Sequence, residues 1–236
     1  FRIFDFMPEG ASSWSENVDW INNLINFLSL ICTVGVTGVM LYFAIRYKKR
    51  PGHKSKPSIS HSTPLELTWT FIPTAVCVWM FWIGFVQYRE MRTPPKNPVE
   101  IYAEGRKWAW QFKYANGKIS DNELIVPLNK PVRIITSSKD VLHSMFIPSM
   151  RVKEDVVPGR FHYLWFEPTK LGTYQIFCTE YCGVQHSGML AKLKVVPEGE
   201  FQDYLLSRGA STEEKLSPVD LGKKLYTAKG CNACHS

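Results

Sequence analysis

Two long runs without charged residues dominate the hydrophobic pattern of the chain. The first covers residues 24–45 and the second covers residues 67–88, where Pro73 is the one interruption. Both exceed the roughly 18 apolar residues that mark a helix able to cross a bilayer, and proline is tolerated in such helices when neighbouring groups satisfy the freed carbonyl. The pattern predicts a transmembrane hairpin with helices over about residues 24–47 and 67–90.

A different pattern begins at Val99, where short stretches rich in Val, Ile, Phe and Tyr alternate with turn residues. The turn signals are Asn116-Gly117, Pro127, Pro131, Pro158-Gly159 and Leu171-Gly172. Several short strands at such spacing are typical of a β-sandwich or barrel. Four aromatic residues recur at every second position and are predicted to share one face of a strand: Trp108, Trp110, Phe112 and Tyr114. The last three are expected to lie in the core.

The composition shifts along the chain suggest its domain boundaries. Residues 1–92 are expected to form the N-terminal segment and the helix hairpin, and residues 93–200 the β-rich domain. Residues 201–216 are expected to form a short helix and a polar linker. The sequence starts at Phe1 without Met, as expected of a processed or trimmed N-terminus.

The distribution of charge orients the two helices. The net charge of +7 would by itself suit nucleic acid or anionic lipid. Six basic residues, however, lie between the two apolar runs: Arg46, Lys48, Lys49, Arg50, Lys54 and Lys56. Basic loops between membrane helices stay on the cytoplasmic side. This position argues against nucleic acid as a partner, and it predicts that the region after Arg89 is exported.

Metal-binding side chains concentrate between Cys178 and Met189. This loop also carries Cys182 and His186, and a second imidazole is available from His143 upstream. Thiolate, thioether and imidazole donors favour copper over hard cations. A mononuclear blue-copper site uses one Cys, two His and a weak axial ligand. The present set has one Cys more, which suits two copper ions that share both sulfurs.

Two other interpretations of this cysteine pair are open at this point. A cysteine pair in an exported domain is most often a disulfide, and two Cys with two His can close a tetrahedral zinc site. Both alternatives leave Met189 without a role, and the disulfide also leaves both histidines without one. The complete set of five side chains therefore favours copper.

A second cysteine motif, Cys-Asn-Ala-Cys-His, occupies residues 231–235. Cys-x-x-Cys-His is an attachment signature for c-type haem, although a redox dithiol or a chance match would give the same letters. Haem attachment would use Cys231 and Cys234 for thioether bonds and His235 for the iron. Residues 217–236 are therefore expected to begin an α-helical cytochrome c domain that is incomplete here.

The copper-binding motifs closely resemble those of subunit II of the haem-copper cytochrome c oxidases. The resemblance rests on Cys-Thr-Glu-Tyr-Cys-Gly-x-x-His-Ser-x-Met and Val-Leu-His-Ser-x-x-x-Pro, and it covers roughly residues 15–197. It implies an α+β membrane protein in a bacterial inner membrane, with an exported cupredoxin-like Greek-key sandwich on the periplasmic side. The C-terminal motif resembles the bacterial type with a fused cytochrome c domain.

The resemblance implies roles for individual residues. A dinuclear CuA centre would be held by the side chains of His143, Cys178, Cys182, His186 and Met189 and by the backbone carbonyl of Glu180. Trp108 would be the point where electrons enter, although the aromatic residue that usually separates the two tryptophans is Ala109 here.

Two acidic residues are also assigned roles by the resemblance alone. The Glu180 carboxylate would reach a magnesium or manganese ion shared with subunit I. Glu66 would lie at the entrance of a proton path into subunit I. The alternative is a structural role only, since an acidic residue in the first turn of a helix is favoured by the helix dipole.

The resemblance implies electron transfer as the function. CuA would accept electrons from cytochrome c and pass them to haem in subunit I, where oxygen is reduced to water. Expected partners are subunits I and III, cytochrome c or another haem donor, and membrane lipid. Residues 99–199 contain 13 Lys and Arg against 10 Asp and Glu, so this region lacks the acidic field that steers a basic cytochrome. A tethered haem donor is expected to replace that steering.

Three rival functions make different demands on the sequence. A copper-carrying protein or metallochaperone would need neither a haem motif nor Glu66. A subunit II of a quinol oxidase would keep the fold and lose the copper ligands. A CuA-bearing nitrous oxide reductase would require a large second catalytic domain.

Overall fold

The computed structural model describes residues 7–52, 60–207 and 217–228. These residues belong to two compact units, a helical one and a β-rich one. Among the described residues, the helical unit consists of 19–52 and 60–90, and the β-rich unit of 7–18, 91–207 and 217–228. The haem-attachment motif, with Cys231, Cys234 and His235, lies outside the described residues.

The helical unit contains two helices that are long and apolar enough to cross a membrane. Helix α1 spans Ser15–Arg46 and helix α2 spans Thr63–Met91. Both begin earlier than the apolar runs predict, because their first turns carry polar residues such as Glu16 and Glu66. Acidic side chains are favourable at helix N-termini, and a search for apolar runs does not detect them.

The surfaces of these helices are apolar. Val36, Phe71 and Phe81 are 71%, 66% and 68% exposed, and none of the residues in the most apolar windows of α1 and α2 is buried within the described chain. Exposed apolar area costs about 25 cal/mol per Å² in water. Such surfaces suit lipid, as the predicted transmembrane helices require.

The described part of the β-rich unit contains ten strands. They are β1 Val99–Arg106, β2 Ala109–Tyr114, β3 Ile119–Asp121, β4 Glu123–Pro127, β5 Val132–Ser138, β6 His143–Ile147, β7 Val152–Val156, β8 His162–Phe166, β9 Gly172–Cys178 and β10 Leu190–Val196. One sheet has the order β3-β2-β1-β5-β8, and the other has the order β4-β10-β9-β6-β7. The chain thus crosses repeatedly between two five-stranded sheets, which confirms the predicted cupredoxin-like sandwich.

Alternating burial along the strands builds the core between the sheets. In β5, for example, Val132, Ile134 and Thr136 are fully buried, and the residues between them are partly exposed. A strand places alternate side chains on opposite faces, so each sheet contributes one apolar face to the shared core.

The aromatic stripe is shorter than the sequence predicts. Trp110, Phe112 and Tyr114 lie on β2 and are buried, as expected. Trp108 precedes the strand and is only half-buried, because the β1–β2 turn occupies Lys107 and Trp108. Alternation in the sequence does not reveal where a turn ends and a strand begins.

A short helix follows the sandwich. Helix α3 spans Glu198–Leu206, somewhat before the expected start at residue 201, since Pro197 provides its N-cap and the first turn carries acidic residues. The β2–β3 turn satisfies carbonyls at its C-terminal end: Lys118 Nζ donates to the Tyr204 carbonyl, and Asn116 Nδ2 donates to the Leu205 carbonyl at 2.7 Å. Terminal helix carbonyls need such partners.

The last described element is helix α4, Pro218–Ala228. The Ser217 hydroxyl accepts a hydrogen bond from the Asp220 backbone N–H at 3.2 Å. This arrangement is an N-cap with proline at the first helical position.

The alternation of burial leads to a paired prediction for stability. Ile134 is 0% exposed in β5, whereas Ile119 is 54% exposed in β3. We expect Ile134→Ala to lower the free energy of unfolding by about 2–5 kcal/mol because it leaves a cavity. Ile119→Ala should change it by no more than about 0.5 kcal/mol. Denaturant unfolding of the purified chain in detergent, followed by tryptophan fluorescence, measures both; equal effects would contradict the assigned register.

Candidate metal centre

Strand pairing brings together two segments that are distant in the sequence. His143 is the first residue of β6, and Cys178 is the last residue of β9. The two strands are antiparallel neighbours, with Met145 opposite Cys178. The Thr179 N–H continues this pairing beyond the strands by donating to the Ser144 carbonyl at 3.0 Å. His143 therefore lies beside the loop that begins at Cys178.

Two thiol sulfurs form the middle of the site. Cys178 Sγ and Cys182 Sγ are 3.9 Å apart. His143 Nδ1 lies 3.8 Å from Cys178 Sγ, and His186 Nδ1 lies 3.5 Å from Cys182 Sγ. Each sulfur therefore has one imidazole nitrogen beside it, and the two imidazoles approach the sulfur pair from different sequence segments.

Two weaker donors complete the set. Met189 Sδ lies 3.9 Å from Cys182 Sγ, and the Glu180 carbonyl oxygen lies 3.4 Å from Cys178 Sγ. Met189 is 0% exposed, so its thioether is shielded from water. The structure thus brings all six predicted donor groups to one place.

The metal-binding loop, residues 178–189, depends on a glycine directly after Cys182. Gly183 has φ +118°, a left-handed backbone conformation that side-chain-bearing residues rarely adopt, and a Cβ there would lie 3.2 Å from Trp108 Cζ2. Trp108 Nε1 also donates to the Cys182 carbonyl at 3.2 Å. Trp108 is therefore in direct contact with the metal-binding loop, although it lies outside the strand to which the sequence assigns it.

The His143 ring is confined on several sides. The ring is fully buried, and Trp110 packs against it in an edge-to-face arrangement with ring centroids 6.1 Å apart. A Cβ on Gly105 would lie 3.1 Å from His143 Cδ2, so the backbone of β1 also limits the ring. On the far side, His143 Nε2 lies 2.8 Å from Asp140 Oδ1.

The sequence did not predict three of the residues that surround the His143 ring: Gly105, Trp110 and Asp140. Trp110 was expected in the core, but its contact with His143 was not. An acidic residue three positions before a histidine ligand was the available signal for Asp140. The contacts of Gly105 and Trp110 arise from strand pairing across the site, which the local sequence does not display.

The ionisation of the site reflects its crowding. Burial opposes ionisation of Cys178, but its hydrogen bond with His143 and nearby backbone groups outweighs burial and lowers the Cys178 pKa below its usual value. Burial and the adjacent Cys178 raise the pKa of Cys182. Burial also opposes protonation of His143, yet Cys178 and Asp140 together raise its pKa. Two neighbouring thiolates repel each other, and a metal ion held by Cys178 and Cys182 would supply the compensating positive charge.

The geometry discriminates among the three interpretations of the cysteine pair. A disulfide has an S–S bond of about 2.05 Å, whereas these sulfurs are 3.9 Å apart and both cysteines are free thiols. A four-coordinate zinc site would leave Met189 Sδ and the Glu180 carbonyl without a role. The full donor set, with soft sulfur and imidazole nitrogen, fits copper.

The remaining predicted site residues lie at other places in the chain. Glu66 is in the first turn of α2, where its Oε1 lies 3.7 Å from His61 Nδ1. The Glu180 side chain is half-buried on the metal-binding loop. Cys231, Cys234 and His235 are outside the described residues.

Two family models match the chain. Residues 3–86 match the model described as "Cytochrome C oxidase subunit II, transmembrane domain", and residues 117–196 match "Cytochrome C oxidase subunit II, periplasmic domain". The first match falls mostly in the helical unit, and the second falls in the β-rich unit and includes every candidate copper ligand.

Individual relatives extend over most of the chain. Cytochrome c oxidase subunit 2 of Synechocystis is 26% identical and covers 89% of this chain and 78% of its own length. The protein of the same name from Cereibacter sphaeroides is 26% identical, with 90% and 82% covered. The protein from Alkalihalophilus pseudofirmus is 28% identical, with 92% and 67% covered.

Two solved structures match about half of the chain. The periplasmic domain of cytochrome oxidase subunit II from Bradyrhizobium japonicum is 31% identical and covers 48% of this chain and 94% of that chain, with a TM-score of 0.47. A related structure, 30% identical with a TM-score of 0.44, covers 48% of this chain and 92% of that chain; it captures a subunit II in a mixed disulfide with the thioredoxin-like protein TlpA.

The family matches indicate where each unit lies relative to the membrane. The helical unit corresponds to the transmembrane domain and the β-rich unit to the periplasmic domain of one protein, so the chain is an inner-membrane protein with a periplasmic domain. Its relatives are subunits of an oxidoreductase, and the family's periplasmic domain implies a CuA centre, in agreement with the cluster of His143, Cys178 and Cys182. The chain belongs to the cytochrome c oxidase subunit II family.

Proposed function

We propose that this chain receives electrons from cytochrome c at a dinuclear CuA centre and delivers them to haem in subunit I of a haem-copper oxidase, where oxygen is reduced to water. The observation that supports this proposal most strongly is the pair of thiol sulfurs 3.9 Å apart, each with an imidazole nitrogen within 3.8 Å. Two copper ions sharing both sulfurs would use every donor in this set.

The protein residues hold and shield such a centre. The thiolates of Cys178 and Cys182 would bridge the ions, His143 and His186 would supply one nitrogen each, and the Met189 thioether and Glu180 carbonyl would be weak ligands. Bound copper would supply a one-electron redox couple. The buried sulfurs, with Cys178 7% and Cys182 3% exposed, exclude water from the ions, and the sheets hold both ligand segments in fixed positions.

We propose that electrons enter through Trp108. Its indole contacts the metal-binding loop through Gly183 and donates to the Cys182 carbonyl, and its half-buried position leaves part of the ring accessible to a donor. The position after Trp108, which is usually aromatic in this family, is Ala109 here and is 1% exposed. Trp108 is therefore the aromatic residue that the β1–β2 turn offers to an electron donor.

Further proposals concern the rest of the chain. Residues 1–92 would anchor the protein, residues 93–200 would form the CuA domain, and residues 201–216 would link it to a haem c domain that starts within 217–236. Subunits I and III of the oxidase would surround the helices together with lipid. The Glu180 carboxylate would bind magnesium or manganese at the boundary with subunit I.

Substituting one bridging cysteine tests the copper centre. Cys182→Ser should abolish the paramagnetic signal of an electron shared by two copper nuclei, because a serine hydroxyl does not ionise to bridge copper near neutral pH. Cys77→Ser is the matched control, since Cys77 is an exposed thiol on α2 far in sequence from the cluster. Copper analysis and paramagnetic spectra of the purified oxidase are the measurements; an undiminished signal in Cys182→Ser would refute the proposed centre.

Haem attachment is tested on the same chain. The tethered-donor hypothesis requires covalent haem at Cys231 and Cys234. We expect the denatured wild-type chain to retain haem absorbance and the doubly substituted Cys231→Ser/Cys234→Ser chain to lose it, with Cys77→Ser unaffected. The hypothesis would be contradicted if the haem-free variant oxidised soluble basic cytochrome c as fast as the wild type and if salt strongly inhibited that reaction. Electrostatic steering would then still bring the donor to this domain, and a tethered haem would not replace it.

The Glu66 proposal predicts a defect in proton uptake that leaves CuA intact. Glu66→Gln should lower oxygen-reducing turnover by up to about 10²-fold, since an amide cannot carry the proton that a positioned carboxyl transfers. Glu66→Asp should retain part of the activity, and Glu16→Gln, in the first turn of the other helix, should retain all of it. Turnover and the CuA signal are measured together; full turnover in Glu66→Gln would exclude this role.

A further inference from the structure

One carboxylate outside the predicted ligand set joins two parts of the site. Asp140 Oδ1 lies 2.8 Å from His143 Nε2 and accepts the Val141 backbone N–H at 2.7 Å. Its other oxygen, Oδ2, accepts the Lys107 backbone N–H at 2.7 Å. Asp140 thus connects a candidate copper ligand to the turn that carries Trp108.

The hydrogen bond to Asp140 determines which nitrogen of His143 carries the proton. An ionised carboxylate only accepts hydrogen bonds, so His143 Nε2 must donate. The lone pair of the neutral ring then lies on Nδ1, which is the nitrogen 3.8 Å from Cys178 Sγ. Metal-binding histidines commonly donate their second ring N–H to a carboxylate, which fixes the tautomer and strengthens the ligand.

The packing around His143 prevents the ring from finding another arrangement. Trp110 contacts one side, and on another side a Cβ on Gly105 would lie only 3.1 Å from His143 Cδ2. Trp110 and Gly105 are both buried, and neither accepts a hydrogen bond from His143 Nε2. Asp140 is therefore the residue that determines which tautomer His143 adopts.

We propose that Asp140 is a positioning residue for the copper centre: it fixes the metal-binding tautomer of His143 and places a negative charge beside one half of the centre. The inference rests on the proposed CuA function, and it adds a residue that is not itself a ligand. A negative charge close to the centre favours the oxidised copper, which carries more positive charge, and therefore lowers the reduction potential.

A purely structural role for Asp140 is the alternative. The Asp140 N–H donates to Ser138 Oγ at 3.2 Å, so the residue also shapes the turn before β6. A residue that only shaped this turn would affect copper binding in both oxidation states equally. A change in reduction potential, which reports the difference between the two states, separates the alternatives.

The sharpest test is Asp140→Asn in the purified, complete oxidase. The amide keeps the shape of the side chain but removes the charge, and it cannot accept hydrogen bonds at both ends. Either its NH₂ group faces the Lys107 N–H, or it faces His143 and the Val141 N–H. The matched control is Asp155→Asn on β7: Asp155 Oδ1 accepts from Ser144 Oγ at 2.8 Å, beside His143 in sequence.

We expect the reduction potential of the copper centre to rise and its copper hyperfine pattern to change in Asp140→Asn alone. Loss of such a partner typically lowers metal affinity by about 10- to 100-fold. If the oxidised centre loses about tenfold more affinity than the reduced one, the potential rises by about 59 mV. An unchanged potential and hyperfine pattern in Asp140→Asn would overturn the proposal, as would equal shifts in the Asp155→Asn control.

A second variant decides the case if Asp140→Asn yields no assembled oxidase. Asp140→Glu keeps the charge but moves it by one methylene, so the proposal expects an altered hyperfine pattern, and an unaltered one would overturn it. The wild-type oxidase separates this inference from the proposed function. Absence of a two-copper signal in the wild type would refute the function, whereas a normal wild-type signal that Asp140 variants leave unchanged would refute the positioning role alone.

Discussion

Two sulfurs 3.9 Å apart in the interior of a sandwich impose the main constraint on this protein. Two unit negative charges about 4 Å apart repel each other by about 4 kcal/mol at an effective dielectric constant of 20. This repulsion acts together with burial to raise the pKa of Cys182. A shared cation converts the repulsion into attraction, so the arrangement that is unfavourable in the metal-free protein becomes a strong site for a soft metal. The surrounding structure must hold the sulfurs close without joining them.

The sheet that contains β6, β9 and β10 meets this requirement. The antiparallel pairing of Met145 with Cys178 fixes one ligand segment against the other, and the Cys178 N–H closes the loop by donating to the Met189 carbonyl at 3.3 Å. Gly183 allows the loop to pass beneath Trp108, where a larger residue would collide with the indole. Core residues far from the metal therefore matter for function, because a slip in strand register would separate the ligands.

The sequence predicts the local parts of this design and not the parts created by tertiary contact. Cys178, Cys182, His186 and Met189 share one loop, so their chemistry can be read directly, and the apolar runs identify both membrane helices. The positions of Asp140, Gly105 and Trp110 around His143 could not be predicted in the same way, since strand pairing and turn geometry bring them together. Trp108 illustrates the difference: alternation predicts a strand position, but the β1–β2 turn brings the ring to the metal-binding loop.

The two imidazoles of the centre have unequal surroundings. His143 is 0% exposed, lies 2.8 Å from the Asp140 carboxylate and is packed by Trp110. His186 is half-buried and packs against the exposed Tyr181 ring in an edge-to-face arrangement, with ring centroids 5.8 Å apart. A charge beside one imidazole raises the electron density of that half of a shared centre. The half of the centre that His143 would hold is packed tightly, and the half that His186 would hold is more accessible. The protein thus distinguishes the two halves although Cys178 and Cys182 would serve both. With the proposed role of Asp140, this asymmetric environment would allow the reduction potential to be adjusted at Asp140 without any change to the ligands.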